Sequence, residues 1–292
     1  MDGVYADIME KALYNGVLSG VSLDGKKYFY VNPLEVWPES CHHRHDKSDV
    51  ATTRQGWFSC ACCPSLGGYI YSIAGNTLYT HLYVKNTGHV RLENCDVAIG
   101  QETDYPWDGK VRIKISASHD AEFTVALRIP GWCKDAKAAV NGERIDTSGL
   151  VDKGYLKLTR LWKNGSIVEL NLPMPVKRVQ SNPELRENAG KVAITRGPLV
   201  YCLEETDNSE RLADLVLAED PEFTVKYDEG LLDGVVKIEG KAFRSDIGQW
   251  GGRLYRELDF AKTVFKITAV PYYAWNNRGE GEMCVWIRQM GI

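Results

Sequence analysis

The stretch V-R-I-K-I-S-A-S-H-D-A-E-F-T-V-A-L-R-I, residues 111–129, decides how this chain is read. Val111, Ile113 and Ile115 alternate with Arg112 and Lys114; Phe123, Val125 and Leu127 alternate with Thr124, Ala126 and Arg128. A period of two places one set on a single face of an extended strand, which is the pattern of a half-buried sheet. Upstream, Tyr69–Ile73 leads through an A-G-N turn into Thr77–Val84. Downstream, Ala138–Val140 meets the hairpin signal Asn141-Gly142, and Tyr155–Leu158 and Ile167–Leu172 follow. Pro173 and Pro175 close this run, because proline cannot continue a central strand. A second run comprises 192–195, 199–203 after the R-G-P turn, 223–225, 235–238, 264–270 and 283–287. Short strands with frequent turns predict a mainly β chain of two consecutive β-sandwich, jelly-roll-like domains, dividing within 173–190.

Residues 3–15 carry the one helical pattern, a stripe of Val4, Ile8, Ala12 and Asn15 widened by Leu13, with Asn15-Gly16 as its stop. Gly25 marks a hairpin before Y-F-Y-V-N, and residues 33–56 read as a long polar loop. Residues 204–215 read as an exposed acidic loop, and 271–278 as a solvent-rich aromatic one.

With 292 residues, 44% hydrophobic and 25% charged, the composition is that of an ordinary globular protein large enough for two domains. A net charge of −4 and the lack of any basic run argue against nucleic acid or anionic lipid as partners. No stretch has the length of a membrane span, and the N-terminus lacks the build of a signal peptide. Eight irregularly spaced cysteines fit reduced thiols better than a disulfide scaffold, which favours a cytoplasmic location.

The chemistry concentrates at W-F-S-C-A-C-C-P-S, residues 57–65. Cys60, Cys62 and Cys63 crowd together, with Cys41, His42, His43 and His45 upstream. Thiols and imidazoles are what zinc selects, and a metal-bound sulfur is held as the nucleophilic thiolate. Yet no C-x2-C pair or H-x3-5-H closes a standard structural site, so a metal site, a reactive thiolate and buried inert thiols all remain open readings. The histidines are candidate ligands or simply solvated, and Cys60 reads as a packing residue in preference to a reactive one. Trp107, Trp132 and Trp162 could form a sugar-stacking platform, although sandwich cores commonly bury such side chains. Glu10, on the helix, is a candidate to face a sugar pocket, but reads first as an exposed helix carboxylate.

Six segments in order resemble the glycoside hydrolase family 127 type of β-L-arabinofuranosidase. They are Y-A-D-I-M-E-K-A-L-Y-N-G-V-L (5–18), F-Y-V-N-P-L-E (29–35), T-R-Q-G-W-F-S-C-A-C-C-P-S (53–65), L-G-G-Y-I-Y-S (66–72), R-I-P-G-W (128–132) and R-G-P-L-V-Y-C-L-E (196–204). The resemblance implies a short helical remnant of an (α/α)6 catalytic barrel at 1–67, then β-sandwich domains at 68–178 and 179–292. It implies Cys62 as nucleophile and zinc ligand, Cys63 as a second zinc ligand, and an E-x-C segment and acid/base Glu lying before Met1. Tyr30 becomes a candidate for hydrogen bonding the sugar, alongside its reading as a packed core tyrosine. Between C-C-P-S and L-G-G-Y the family carries an Asn and a short helix that this sequence lacks. The expected function is therefore the C-terminal part of a zinc- and cysteine-dependent retaining glycosidase acting on an arabinofuranoside-like carbohydrate. By itself the chain is expected to be inactive, and a homodimer is a possible assembly. The competing readings are a non-catalytic carbohydrate-binding or assembly module and a zinc-stabilised structural fragment.

Overall fold

A computed structural model describes residues 1–47, 50–57, 69–245, 247–255, 257 and 263–291. The chain is mainly β with a short N-terminal helix, as its alternating pattern predicts. It divides into two compact units, one built from Met1–Leu13 with Leu66–Pro175, the other from Tyr14–Ser65 with Val176–Ile292.

Among the described residues the first unit holds two sheets. One has five strands in the order Val151–Asp152, Tyr155–Trp162, Ala121–Arg128, Thr77–Thr80 and Tyr71–Ala74, antiparallel except where Thr77–Thr80 runs parallel to Ala121–Arg128. The other has six antiparallel strands, ordered Asn86–Arg91, Asp96–Thr103, Lys110–Ala117, Ser166–Asn171, Lys137–Val140 and Glu143–Ile145. Val111, Ile113 and Ile115 are all buried, as their alternation demands, and Phe123, Val125 and Leu127 join them. Asn141 and Gly142 both take positive φ in the tight turn that the dipeptide signals.

Helix α1 (Gly3–Ala12) belongs to this unit. Asp2 caps it by accepting a hydrogen bond from the Val4 amide. Its N-terminus lies against a hairpin, the Gly3 amide donating to the Lys153 carbonyl at 2.7 Å, where a Cβ on Gly3 would meet Gly154 Cα at 3.1 Å. The apolar stripe is not its buried face: Val4 and Ile8 are exposed, whereas Gly3, Ala6 and Glu10 are buried.

Among the described residues the second unit forms one ten-stranded sheet. Its order runs Glu35–Val36, Met283–Cys284, Leu199–Glu204, Thr263–Pro271, Val235–Arg244, Val216–Leu217, Trp286–Gln289, Lys191–Arg196 and Val176–Gln180, with Thr224–Asp228 beside Val235–Arg244. Because Leu199–Glu204 also pairs with Lys191–Arg196, the ladder closes a circuit through the middle six strands. Phe29, Val36, Cys202, Val270, Tyr272, Trp275 and Met283 form part of its core. Three readings of loops are corrected here. Residues 33–56 contain a strand at Glu35–Val36 and a helix α2 (Pro38–His43), with Pro38 at a first-turn position that suits its fixed φ. Residues 204–215 bury Glu204, Asn208, Leu212 and Leu215, since Asp207 and Glu204 are gripped by Arg278. Residues 271–278 bury Tyr272, Ala274 and Trp275.

Candidate functional site

Residues 19–57 approach the cysteine segment through a hairpin. Val21 bridges Tyr28 across a turn in which Gly25 takes φ +71°, and Tyr28 bridges onward to Gln55. The Tyr28 amide donates to the Gln55 carbonyl at 2.7 Å, and the Gln55 amide returns a bond of 2.9 Å. This pairing ties the F-Y-V-N segment to T-R-Q-G-W, the lead-in to C-A-C-C-P. Phe29 turns inward onto Trp275, the two rings stacked with centroids 4.7 Å apart and planes nearly parallel. Its neighbour Tyr30 is 60% exposed, so the packed-core reading of Tyr30 is set aside.

Arg54 lies next to that pair, only 6% exposed. Its guanidinium sits 4.6 Å from the centroid of the Phe29 ring. Nη1 donates to the Trp275 carbonyl at 2.6 Å and Nη2 to the Ser19 carbonyl at 2.8 Å. Burial lowers its pKa to about 10 despite the attraction of Glu204. On the same segment the Thr52 carbonyl accepts a 2.8 Å bond from Asn276 Nδ2.

Cys60, Cys62 and Cys63 lie outside the described residues. Cys41 is partly buried against the second unit's core, and His43 and His45 are exposed. His42 Nε2 is 3.1 Å from Glu280 Oε1 and 3.3 Å from Thr52 Oγ1. Among the described residues no three His, Cys, Asp or Glu side chains come together to hold a metal. Cys41, Cys95, Cys133, Cys202 and Cys284 form no disulfide, and desolvation pushes the Cys284 thiol up to about 12.

Glu10 is not an exposed helix carboxylate. It is 1% exposed in the first unit and pairs with the fully buried Arg128. Tyr105 donates to its Oε1 at 2.5 Å and Trp132 Nε1 to its Oε2 at 3.2 Å, while Asp7 takes Arg128 Nη1 at 2.5 Å. Burial is the largest influence on the Arg128 pKa and would depress it; the Glu10 charge, Tyr105, Tyr83 and the hydrogen bond to Glu10 together outweigh it, and the net shift is upward. Trp162 is a core residue whose indole donates to the Phe123 carbonyl at 3.0 Å. Trp132, engaged with Glu10, is half-buried, as is Trp107.

Sequence reasoning passed over Arg54, Arg128 and Arg278. Long charged side chains read as surface, and nothing in a local window reveals the carbonyls or carboxylates waiting to receive them. It also passed over a chain of hydrogen bonds at Ser72, His81 and Tyr155, with Ser72 Oγ and Tyr155 Oη each 2.7 Å from a His81 ring nitrogen.

Three models of one family match in series: the β-L-arabinofuranosidase GH127 catalytic domain over residues 1–72, the GH127 middle domain over 77–174, and the glycoside hydrolase family 127 C-terminal domain over 176–288. A non-reducing end β-L-arabinofuranosidase from Bifidobacterium longum is 36% identical over 98% of this chain and 46% of its own length. The crystal structure of a GH127 β-L-arabinofuranosidase from Geobacillus stearothermophilus T6 is similar at 51% identity and a TM-score of 0.95, over 99% of this chain and 47% of that one. A further GH127 β-arabinofuranosidase matches at 34% identity and a TM-score of 0.84, over 99% and 46%. The chain thus spans about half the length of these relatives.

Proposed function

The chain belongs to glycoside hydrolase family 127, and on that premise we propose that it is part of a retaining glycosidase that cleaves β-L-arabinofuranosides. The observation that carries this reading is the unbroken series of family domains, with C-A-C-C-P inside the first. In this proposal Cys62 is the nucleophile, Cys62 and Cys63 are zinc ligands, and Tyr30 hydrogen bonds the sugar. In the same proposal the two sheets of the first unit pack as a β-sandwich, and the single closing sheet of the second unit forms the other β domain.

The described residues support a substrate role for Tyr30, whose exposed side chain is placed by the pairing of Tyr28 with Gln55. Retaining glycosidases need a nucleophile and an acid/base group, ordinarily two carboxyls about 5–5.5 Å apart. A thiolate takes the first role when its pKa is low, and zinc bound at Cys62 and Cys63 would supply that depression. No group of described side chains forms such a metal site by itself, so zinc binding in this proposal depends on the cysteine segment.

The test is hydrolysis of 4-nitrophenyl β-L-arabinofuranoside by the native polypeptide in which these residues occur, and by residues 1–292 alone. Turnover abolished by Cys62→Ser is expected from the former. The latter should be slower by about 10²–10⁴-fold or more, the worth of general acid–base assistance. Wild-type turnover that survives Cys62→Ser would overturn the nucleophile assignment.

A further inference from the structure

Arg54 is an expensive residue for its position. It is nearly fully buried, its two donating nitrogens meet only backbone carbonyls, and its buried Nε has no hydrogen-bond partner among the described residues. A buried cation without a contacting carboxylate costs free energy, and an apolar side chain of similar volume is often no worse for stability. Its surroundings use the guanidinium's shape. The plane lies over the Phe29 ring while two nitrogens reach Ser19 and Trp275, so one rigid group joins both arms of the Val21–Tyr28 hairpin to a residue far along the chain. Lysine, a point charge on a flexible stem, cannot reproduce a stacked fork. The backbone on either side is held as well, by Asn276 at Thr52 and by Tyr28 at Gln55. Arg54 is therefore a fixed reference against which Phe29 is packed, and Phe29 is followed directly by the exposed Tyr30.

We propose that Arg54 is a positioning residue for Tyr30, acting through the Phe29 ring to set how the Tyr30 hydroxyl meets the sugar. The proposal rests on the reading of Tyr30 as a sugar-binding residue. A residue that acts through a second one shows non-additive effects with it, whereas a brace for the fold shows additive ones.

The experiment is a double-mutant cycle of Arg54→Lys and Tyr30→Phe in the native polypeptide, with 4-nitrophenyl β-L-arabinofuranoside as substrate. Each single change is expected to raise KM about tenfold with kcat within about twofold, and the double variant should be no worse than either single. Phe29→Leu keeps both carbonyl contacts of Arg54 and removes the ring beneath it; it should show the same non-additivity with Tyr30→Phe. This variant decides the matter if Arg54→Lys does not fold. Additive losses in either cycle, with turnover intact, would overturn the positioning role and leave the hydrolytic reading standing. If the wild type has no turnover, the cycle is read on the dissociation constant for methyl β-L-arabinofuranoside. Non-additive loss of binding would uphold positioning while sinking hydrolysis, and absence of both binding and turnover would sink both.

Discussion

Glu10 and Arg128 bring opposite charges into one dry site, and neither could be there without the other. The pair is closed by Tyr105, Trp132 and Asp7, so every oxygen of the Glu10 carboxylate has a donor. Removing one partner of a buried pair strands the other, which typically costs about 3–5 kcal/mol. Glu10→Ala is therefore expected to lower the stability of the first unit by about that much in urea unfolding, while Asp7→Asn, at the partly open end of the pair, costs less. His81 supplies the pH dependence. Burial first, and the neighbouring Arg128 charge second, hold its pKa below the ordinary 6.5. The unfolded chain takes up the proton near 6.5 and the folded one only at lower pH. The contribution is thus complete above that value and is lost as pH falls through the folded pKa. Wild-type protein should lose urea resistance more steeply than His81→Gln as pH falls below about 6.5. Identical slopes would remove His81 from the account. These residues were not legible in the sequence, because a lone Arg or Glu does not announce a partner 118 positions away.

At the scale of elements, the regularly alternating strands were legible, and so was the buried face of Lys110–Ala117. Period two divides a strand into two faces, and the apolar one goes inward; Lys110–Ala117 obeys it residue by residue. Asn86–Arg91 and Asp96–Thr103 escaped notice because Gly88, Gly100 and Gln101 interrupt their patterns, though Val97 and Ile99 are buried. Helix α1 was legible as a helix but not in its orientation. Tyr5 and Ile8 point outward at 73% and 62% exposure because Arg128 draws Asp7 and Glu10 in. Tyr5→Lys and Ile8→Lys in the 292-residue chain should change unfolding free energy by about 0.5 kcal/mol or less in urea unfolding, as exposed substitutions do. A shift of the unfolding midpoint comparable to that of Glu10→Ala would show that this face is packed. Gly109 is a turn glycine required by close approach: a Cβ there would lie 1.9 Å from the Leu172 carbonyl oxygen. Gly109→Ala should destabilise by about 1–3 kcal/mol, the usual cost of overpacking, with a matching fall in Tm.

For the whole molecule, the chain order does not follow the units. Met1–Leu13 join the first unit across the chain, with Leu66–Pro175, whereas Tyr14–Ser65 join the second, where Glu35–Val36 pairs with Met283–Cys284 and Arg54 reaches Trp275. A chain ended at Pro175 should keep amide protection in the strands at Lys110–Ala117 and Ala121–Arg128 but lose it at Tyr28, Phe29 and Gln55. Hydrogen exchange read residue by residue checks this; protection persisting at Tyr28 and Gln55 would show that the hairpin stands without Val176–Ile292. The sequence by itself determined the mainly β class, the single N-terminal helix, the turns at Gly25 and Asn141-Gly142, and the family. Each of these is written in local periodicity, in backbone freedom at a few residues, or in a motif of fixed order. Tertiary structure alone decided which face of α1 is buried, which arginines lie inside, and that residues 204–215 and 271–278 belong to the core. Those outcomes depend on a charge or carbonyl brought from far along the chain, and the pairing energy that offsets desolvation exists only once the fold has placed both groups together.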